Sequence, residues 1–541
     1  MDTVDLTFKD FLEKFEDFGK CEWLTVYSNN REDEKESSGF YSALISRARI
    51  KKSLEDPSWD LHIGDGFPGY TFYFENGKEI ATYFRCSDEG VEPLVIKRGF
   101  HGMKDGYWEV SEEFRFYFNL YEDRLNNKFV YIDDNGDDED VVIITDKVIK
   151  IKSRLIKEFL AVKNMMLALF FDFNRFSNKK IEDLGIKEYH EVKKGKDFIY
   201  SIGARNWDAF LDDSRKAQGF LMGKKLISGL KDYKPSMFNR EKKSYVDFII
   251  GVDDNGKEIL YTSNENELAN YFGKNKGKPH YLTPVLFKKE VLTKYYAQPN
   301  KYSVEDGYLR CGGLWGLRMD NNSDDFVMAF LGDLGHLSNN EQLYWRTFNL
   351  KTKGKMSSVA WSRGFEAQFT DPQKSDLYFK YKFPEFQKAW EKKFGWNFFI
   401  PLSKADEHYY KSLHLPLTDE QKEFDEQVLS LVKVLIDSLN EEKLAKTILL
   451  NKDKEKNLKG IGKLDLFLKT SGVNSPKMIE FLKNLQNLRS SGIAHRKGSE
   501  YEKAKRFFSM NDKELSKVFN DILIKSIWVL NTLENHFLKS K

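Results

Sequence analysis

Leu488-Arg489-Ser490-Ser491-Gly492-Ile493-Ala494-His495-Arg496-Lys497 places a guanidinium and an imidazole on either side of a run of small residues. In an unbroken helix, residues six apart point about 120° away from each other, so Arg489 and His495 would not share a target. Ser and Gly are weak helix formers, and a break at Ser490-Ser491-Gly492 would let the two side chains converge. The spacing alone carries little weight: with 19 Arg and 9 His in 541 residues, such a pair is expected about once by chance. The surroundings carry the argument.

Those surroundings read as helical. Ser475-Pro476 supplies an N-cap and a first-turn proline, and Ile479, Leu482, Leu485 and Leu488 follow at three-residue steps. Thr418 is placed to cap an earlier helix carrying Phe424, Val428, Leu431, Val432 and Leu435 and running to about Leu439. Ser499 to Phe508 and Asn511 to Phe537 supply the remaining helices. Residues 418–541 are therefore expected to form an all-α domain large enough for its own core. Charge is uneven: residues 451–517 hold 16 Lys and Arg against 8 Asp and Glu, while the whole chain carries only +2. That local surplus suits a polyanionic partner.

The preceding residues read differently, and the chain as a whole reads as an α+β multidomain protein. Residues 1–150 are expected to form a β-rich domain. Asn76-Gly77 sits between two apolar-aromatic arms, Asn135-Gly136 repeats the device with an acidic loop, and Asn255-Gly256 does so again further on. The acidic loop from Asp133 to Asp140 fails the EF-hand pattern, because Gly136 at the sixth position would put Tyr131 where the first carboxylate belongs. From Lys147 to about Phe173 the pattern predicts a connecting helix, with Phe159 to Phe171 buried. It opens a mixed α/β central domain over 151–417, where Asn264 to Glu267 and Ser338 to Glu341 look like helix starts.

The Arg-x5-His element, the small residues before its histidine, the basic tail and the compact helical setting resemble the HEPN superfamily. The resemblance covers residues 418–541, under a quarter of the chain. It implies a helical bundle that dimerises through this domain and cleaves RNA without a metal or other cofactor, with Arg489 and His495 as the catalytic pair. Ser490, Arg496, Lys497, Lys503, Lys505 and Arg506 are then the supporting or RNA-binding residues. In the family the position after the arginine is often Asn, Asp or His; here it is Ser490. The chemistry fits the residue types: an imidazole titrates near neutral pH and can move a ribose proton, and a guanidinium can stabilise added charge on phosphorus. The resemblance further implies an endoribonuclease effector of anti-phage defence by abortive infection, acting on tRNA or mRNA. The N-terminal regions would then sense a phage-encoded trigger or restrain the nuclease. The alternative is a non-catalytic HEPN-like dimerisation or nucleic-acid-binding module attached to a β-rich ligand or protein sensor.

A weaker candidate lies at Asp333, His336 and Glu341, two acids and an imidazole that could serve a metal or hydrolytic site. Ser338 and Glu341 are already accounted for as a capping box, and Gly332 and Gly335 as turn residues. Tyr308 to Leu317 is glycine-rich but lacks the Lys-Ser/Thr of a phosphate loop, so it reads as a strand pair with Cys311 buried. Three scattered cysteines imply no disulfide framework. The acidic start Met1-Asp2-Thr3-Val4-Asp5 and the absence of a long apolar run predict a cytoplasmic protein without membrane contact.

Overall fold

The computed structural model describes residues 5–30, 35–59, 69–84, 90–207, 215–231, 243–351, 357–358, 370–447, 458–492 and 499–539. The chain forms two compact units, 1–133 with 137–241 and 134–136 with 242–541. The architecture is α+β, with a large antiparallel sheet in the first unit and a helical core at the end of the second.

Local turn chemistry fixes the hairpins. Asn76 and Gly77 both take positive φ, 52° and 75°, the combination a tight hairpin turn requires, and Gly69–Glu75 pairs with Lys78–Phe84 around them. Lys128–Ile132 pairs with Asp138–Ile144, and Asp247–Val252 with Glu258–Thr262, in the same antiparallel manner.

The expected connecting helix is only partly present. Ser153–Lys163 is helical and buries Leu155, Ile156, Phe159 and Leu160, but Asn164 turns left-handed (φ 54°) and ends it. Met165–Ser177 is then a strand of 13 residues, paired along its length with Glu36–Ser46 on one edge and Ala217–Ser228 on the other. A continuous apolar run suits a strand covered on both faces as well as it suits a buried helix, and the aromatic content favours the strand. The sheet of 11 strands therefore runs from Trp23–Asn30 to Ala217–Ser228 in sequence and crosses residue 150, where a domain boundary was expected.

In the second unit, Pro284–Phe287, Tyr302–Glu305, Tyr308–Cys311, Trp315–Asp320 and Val327–Phe330 make a five-stranded sheet. Ser338 caps the helix Asn339–Thr347 as expected. Asn264 to Glu267 forms a turn instead of opening a helix, with the Asn264 side chain bonded to Glu267 Oε1 at 3.0 Å. The helical core begins well before 418: Phe379, Phe383, Phe386 and Trp390 of the helix Ser375–Phe394 join one cluster with Val428, Leu464, Leu485 and Phe519. Residues 375–413 thus belong with the bundle and not with a central domain. No helix among the described residues is long and apolar enough to cross a membrane.

Buried polar groups pin the segment between the early and late bundle helices. The Leu415 amide donates to Asp376 Oδ2 (2.9 Å) and the His414 amide to Gln427 Oε1 (2.9 Å). The Leu417 and Thr418 amides donate to Glu423 (2.8 Å each), whose Oε1 also lies 3.2 Å from His414 Nε2. Thr418 acts through this carboxylate, and the helix Gln421–Val432 takes Glu420 as its N-cap residue. Burial alone would raise the Glu423 carboxyl, but the hydrogen bonds from His414, Thr418 and the two amides outweigh it and hold it down to about 2, against an ordinary 4.5.

A carboxyl depressed on folding stabilises the protein above its unfolded value and loses that contribution as pH falls toward the folded one. We expect Glu423→Gln to lower stability at pH 7 by about 1.5–3 kcal/mol, the range for hydrogen bonds to a charged group. The gap between variant and wild type should narrow as the pH falls from above 4.5 toward 2. Urea midpoints followed by helical circular dichroism across that range test this; a gap that widens on acidification contradicts it.

Candidate functional site

Arg489 lies near the end of the helix Pro476–Gly492, whose Ile479, Leu482, Leu485 and Leu488 are buried in the bundle. Immediately after Leu488, its side chain reaches out along the flank of the helix. There it meets Asp437, the last residue of a π-helical turn, Lys433–Asp437, that follows Gln421–Val432. Arg489 Nη1 donates to both carboxylate oxygens, at 2.7 and 2.6 Å, and Lys433 Nζ stands 3.6 Å from Asp437 Oδ2. Both side chains of the pair are 29 % exposed. Both bonds use the one nitrogen Nη1, so the Nε–Nη2 edge of the guanidinium makes no contact with Asp437. That edge has the fork geometry that matches two phosphate oxygens. One carboxylate between two cations leaves a local surplus of positive charge.

The helix runs through Ser490 and Ser491 to Gly492, so the expected break at these three residues is absent. Three weak helix formers at a helix end are carried by the packing upstream, which commonly overrides propensity. His495, Arg496 and Lys497 lie outside the described residues. Lys503 is exposed and bonds to Glu500 at 2.7 Å, one turn away. Lys505 and Arg506 occupy the last turn of Ser499–Phe507, a helix fastened by buried Tyr501 and Ala504.

The second candidate does not assemble. Tyr281 donates its hydroxyl to Asp333 Oδ1 (2.7 Å), and His336 Nε2 lies 3.0 Å from the same hydroxyl. Burial, then the bond to Asp333 and its charge, raise the Tyr281 hydroxyl above its ordinary value, so it stays a donor. Glu341 instead enters a separate buried network: Tyr295 donates to its Oε2 (2.6 Å), Lys294 pairs with Oε1, and Trp345 Nε1 donates to the Tyr295 hydroxyl (2.7 Å). Among the described residues, no group of three or more His, Cys, Asp or Glu could hold a metal ion. Gly335 permits a close approach, since a Cβ there would sit 2.1 Å from the Ser263 carbonyl oxygen. The glycine-rich stretch is a strand pair, with Cys311 buried.

Asp437 is the residue of this site that sequence reasoning misses, since it stands 52 positions before Arg489. Comparison of the chain with protein-family models, with curated proteins and with solved structures gives no match.

A partly exposed ion pair contributes only about 0–1 kcal/mol. Asp437→Asn should therefore change the urea midpoint little, whereas Tyr295→Phe, which strips partners from both Glu341 and Trp345, should cost about 1–3 kcal/mol. Equal losses in the two variants would contradict this division between an orienting pair and a structural network.

Proposed function

We propose that the helical bundle is a HEPN-like, metal-independent endoribonuclease with Arg489 and His495 as its catalytic pair, and that the N-terminal unit senses a trigger or restrains it. The observation that carries the reading is the Arg489 guanidinium, oriented by Asp437 through hydrogen bonds from Nη1 alone, neither of which uses the forked Nε–Nη2 edge. The basic surplus of residues 451–517 supports a polyanionic substrate. In the proposed reaction, a ribose 2′-oxygen loses its proton to an imidazole and attacks the adjacent phosphorus. The P–O5′ bond breaks, and the departing oxygen takes a proton, leaving a 2′,3′-cyclic phosphate and a 5′-hydroxyl. Arg489 stabilises the extra charge on the pentacoordinate phosphorus. One imidazole cannot serve as base and acid in the same step, which favours a pair of chains, each supplying one. An anti-phage role by abortive infection belongs to the same proposal.

The alternative, a bundle that binds nucleic acid without cleaving it, draws on the same basic surplus, and one experiment separates the two. Purified protein is incubated with total RNA in EDTA beside Arg489→Ala, His495→Ala and Asp437→Asn, and the fragment ends are mapped. Cleavage with cyclic-phosphate ends is expected, falling by about 100- to 1000-fold in Arg489→Ala, as for loss of one oxyanion donor. His495→Ala should abolish it and Asp437→Asn reduce it. RNA bound but left intact by wild-type protein supports the binding module and removes the nuclease.

A further inference from the structure

In the N-terminal unit, four neighbouring strands turn a polar face toward a cavity of about 730 Å³. Across Met165–Ser177, Ala217–Ser228, Phe198–Asn206 and Tyr189–Lys194, the register sets Asn174, Phe220, Gly203 and His190 in one row. Asp172, Met222 and Ser201 make the next row, and Gln218 with Arg205 lies on the far side of the first. Gly203 decides the shape. A Cβ there would sit 2.6 Å from Phe220 Cζ, so the phenyl ring lies across the glycine and forms a low floor instead of standing off the sheet. His190 meets that ring at 5.6 Å and 61°, and the Arg205 guanidinium carbon is 5.5 Å from its centroid.

A chain of hydrogen bonds fixes the rim of this floor. Arg205 Nε donates to Gln218 Oε1 (3.0 Å), Gln218 Nε2 to Asn174 Oδ1 (2.8 Å), and Asn174 Nδ2 to Asp172 Oδ1 (3.2 Å). His190 Nε2 and Ser201 Oγ lie 2.8 Å apart. Gln218 and Ser201 are each only 6 % exposed. Interior strands covered on both faces are ordinarily apolar, so polar side chains placed there orient their neighbours at the cavity wall. The chain of bonds engages Arg205 through Nε and Asp172 through Oδ1, which gives the cavity a guanidinium at one end, where Glu188 also lines the wall, and a carboxylate at the other. Two strand spacings and four residues of rise separate the two Cα atoms by about 16 Å. The Arg205 guanidinium reaches back from its own Cα to within 5.5 Å of the Phe220 ring centroid, so cation and ring lie side by side. This arrangement suits a planar ring with donor and acceptor edges, joined through a linker to an anionic group.

We propose that this cavity binds a nucleoside monophosphate: the base lies on Phe220 with its amine-bearing edge toward Asn174 and Asp172, and the phosphate meets Arg205. Flat aromatic floors hold bases through their π-faces, convergent polar groups fix orientation, and a guanidinium matches phosphate. This inference stands on residues remote in sequence from the bundle and is independent of the reading given for it.

Calorimetric titration of the full chain tests it, using AMP, GMP, CMP and UMP, the four parent nucleosides, and glutamate. At least one monophosphate should bind saturably, and its nucleoside about tenfold more weakly or worse, a difference of about 1.4 kcal/mol. Arg205→Met, at an exposed position, should bring nucleotide and nucleoside to the same affinity. Phe220→Leu should weaken both by about tenfold or more, in line with the loss of base stacking. Circular dichroism melting confirms that each variant folds. Three results overturn the proposal: no saturable binding of any monophosphate up to about 10 mM, affinities unchanged in Arg205→Met, or glutamate binding tighter than every nucleotide.

Discussion

The N-terminal unit depends on the strand Met165–Ser177 sharing its backbone hydrogen bonds with two partners far away in sequence, Glu36–Ser46 and Ala217–Ser228. A strand bonded on both edges cannot slip independently: a shift of one residue would exchange Phe171 and Phe173, buried on one face, for Asp172 and Asn174 on the other. The cost of burying the wrong set fixes the register of all three strands at once. The same alternation builds an aromatic core on one side, where Phe11, Phe15, Phe171 and Phe173 cluster, and a polar row on the other.

What the sequence discloses about this fold divides by the range of the interactions involved. The Asn-Gly hairpins are legible because the turn dictates its own conformation within a few residues. So is the helix Pro476–Gly492, with its first-turn proline and a regular apolar stripe. The stretch Met165–Ser177 is not, since its continuous apolar character carries no period and only its pairing partners declare it a strand. Ser375–Phe394 is obscured in another way: Phe379, Phe383, Phe386 and Trp390 do recur at helical steps, but aromatic richness and the internal Pro384 suggest β-structure or a break. The bundle packs those four rings deeply enough to override both signals. At the site, Arg489 is legible and Asp437 is not, because nothing local links a carboxylate to a guanidinium 52 residues on.

The pinned segment around His414 ties these parts of the second unit together. Asp376 comes from the aromatic helix and Glu423 and Gln427 from Gln421–Val432, so the amides of His414, Leu415 and Leu417 join the two helices, two of the three bonds being charge-assisted. The His414 ring also stacks on Tyr296, centroids 3.8 Å apart and planes 3° from parallel. The position of Gln421–Val432 is thereby fixed at its start, and the turn that follows inherits that position. A carboxylate presented to Arg489 at the far end is in this sense set by hydrogen bonds made at the near end.

The π-turn Lys433–Asp437 is an α-helix carrying one residue too many. Each residue of a regular helix advances about 100° around the axis, and the wider π-turn takes up one extra residue, so Asp437 stands about where the preceding residue would stand in a regular helix. Were the same sequence wound as a regular α-helix, the Asp437 carboxylate would turn by about that angle and Arg489 would lose its anchor. The local irregularity is thus a phase shift: Val434, Leu435 and Ile436 stay buried within the turn while the acid that ends it faces a neighbouring helix. One extra residue in a single turn thereby sets the chemistry of the surface while leaving the core composition intact.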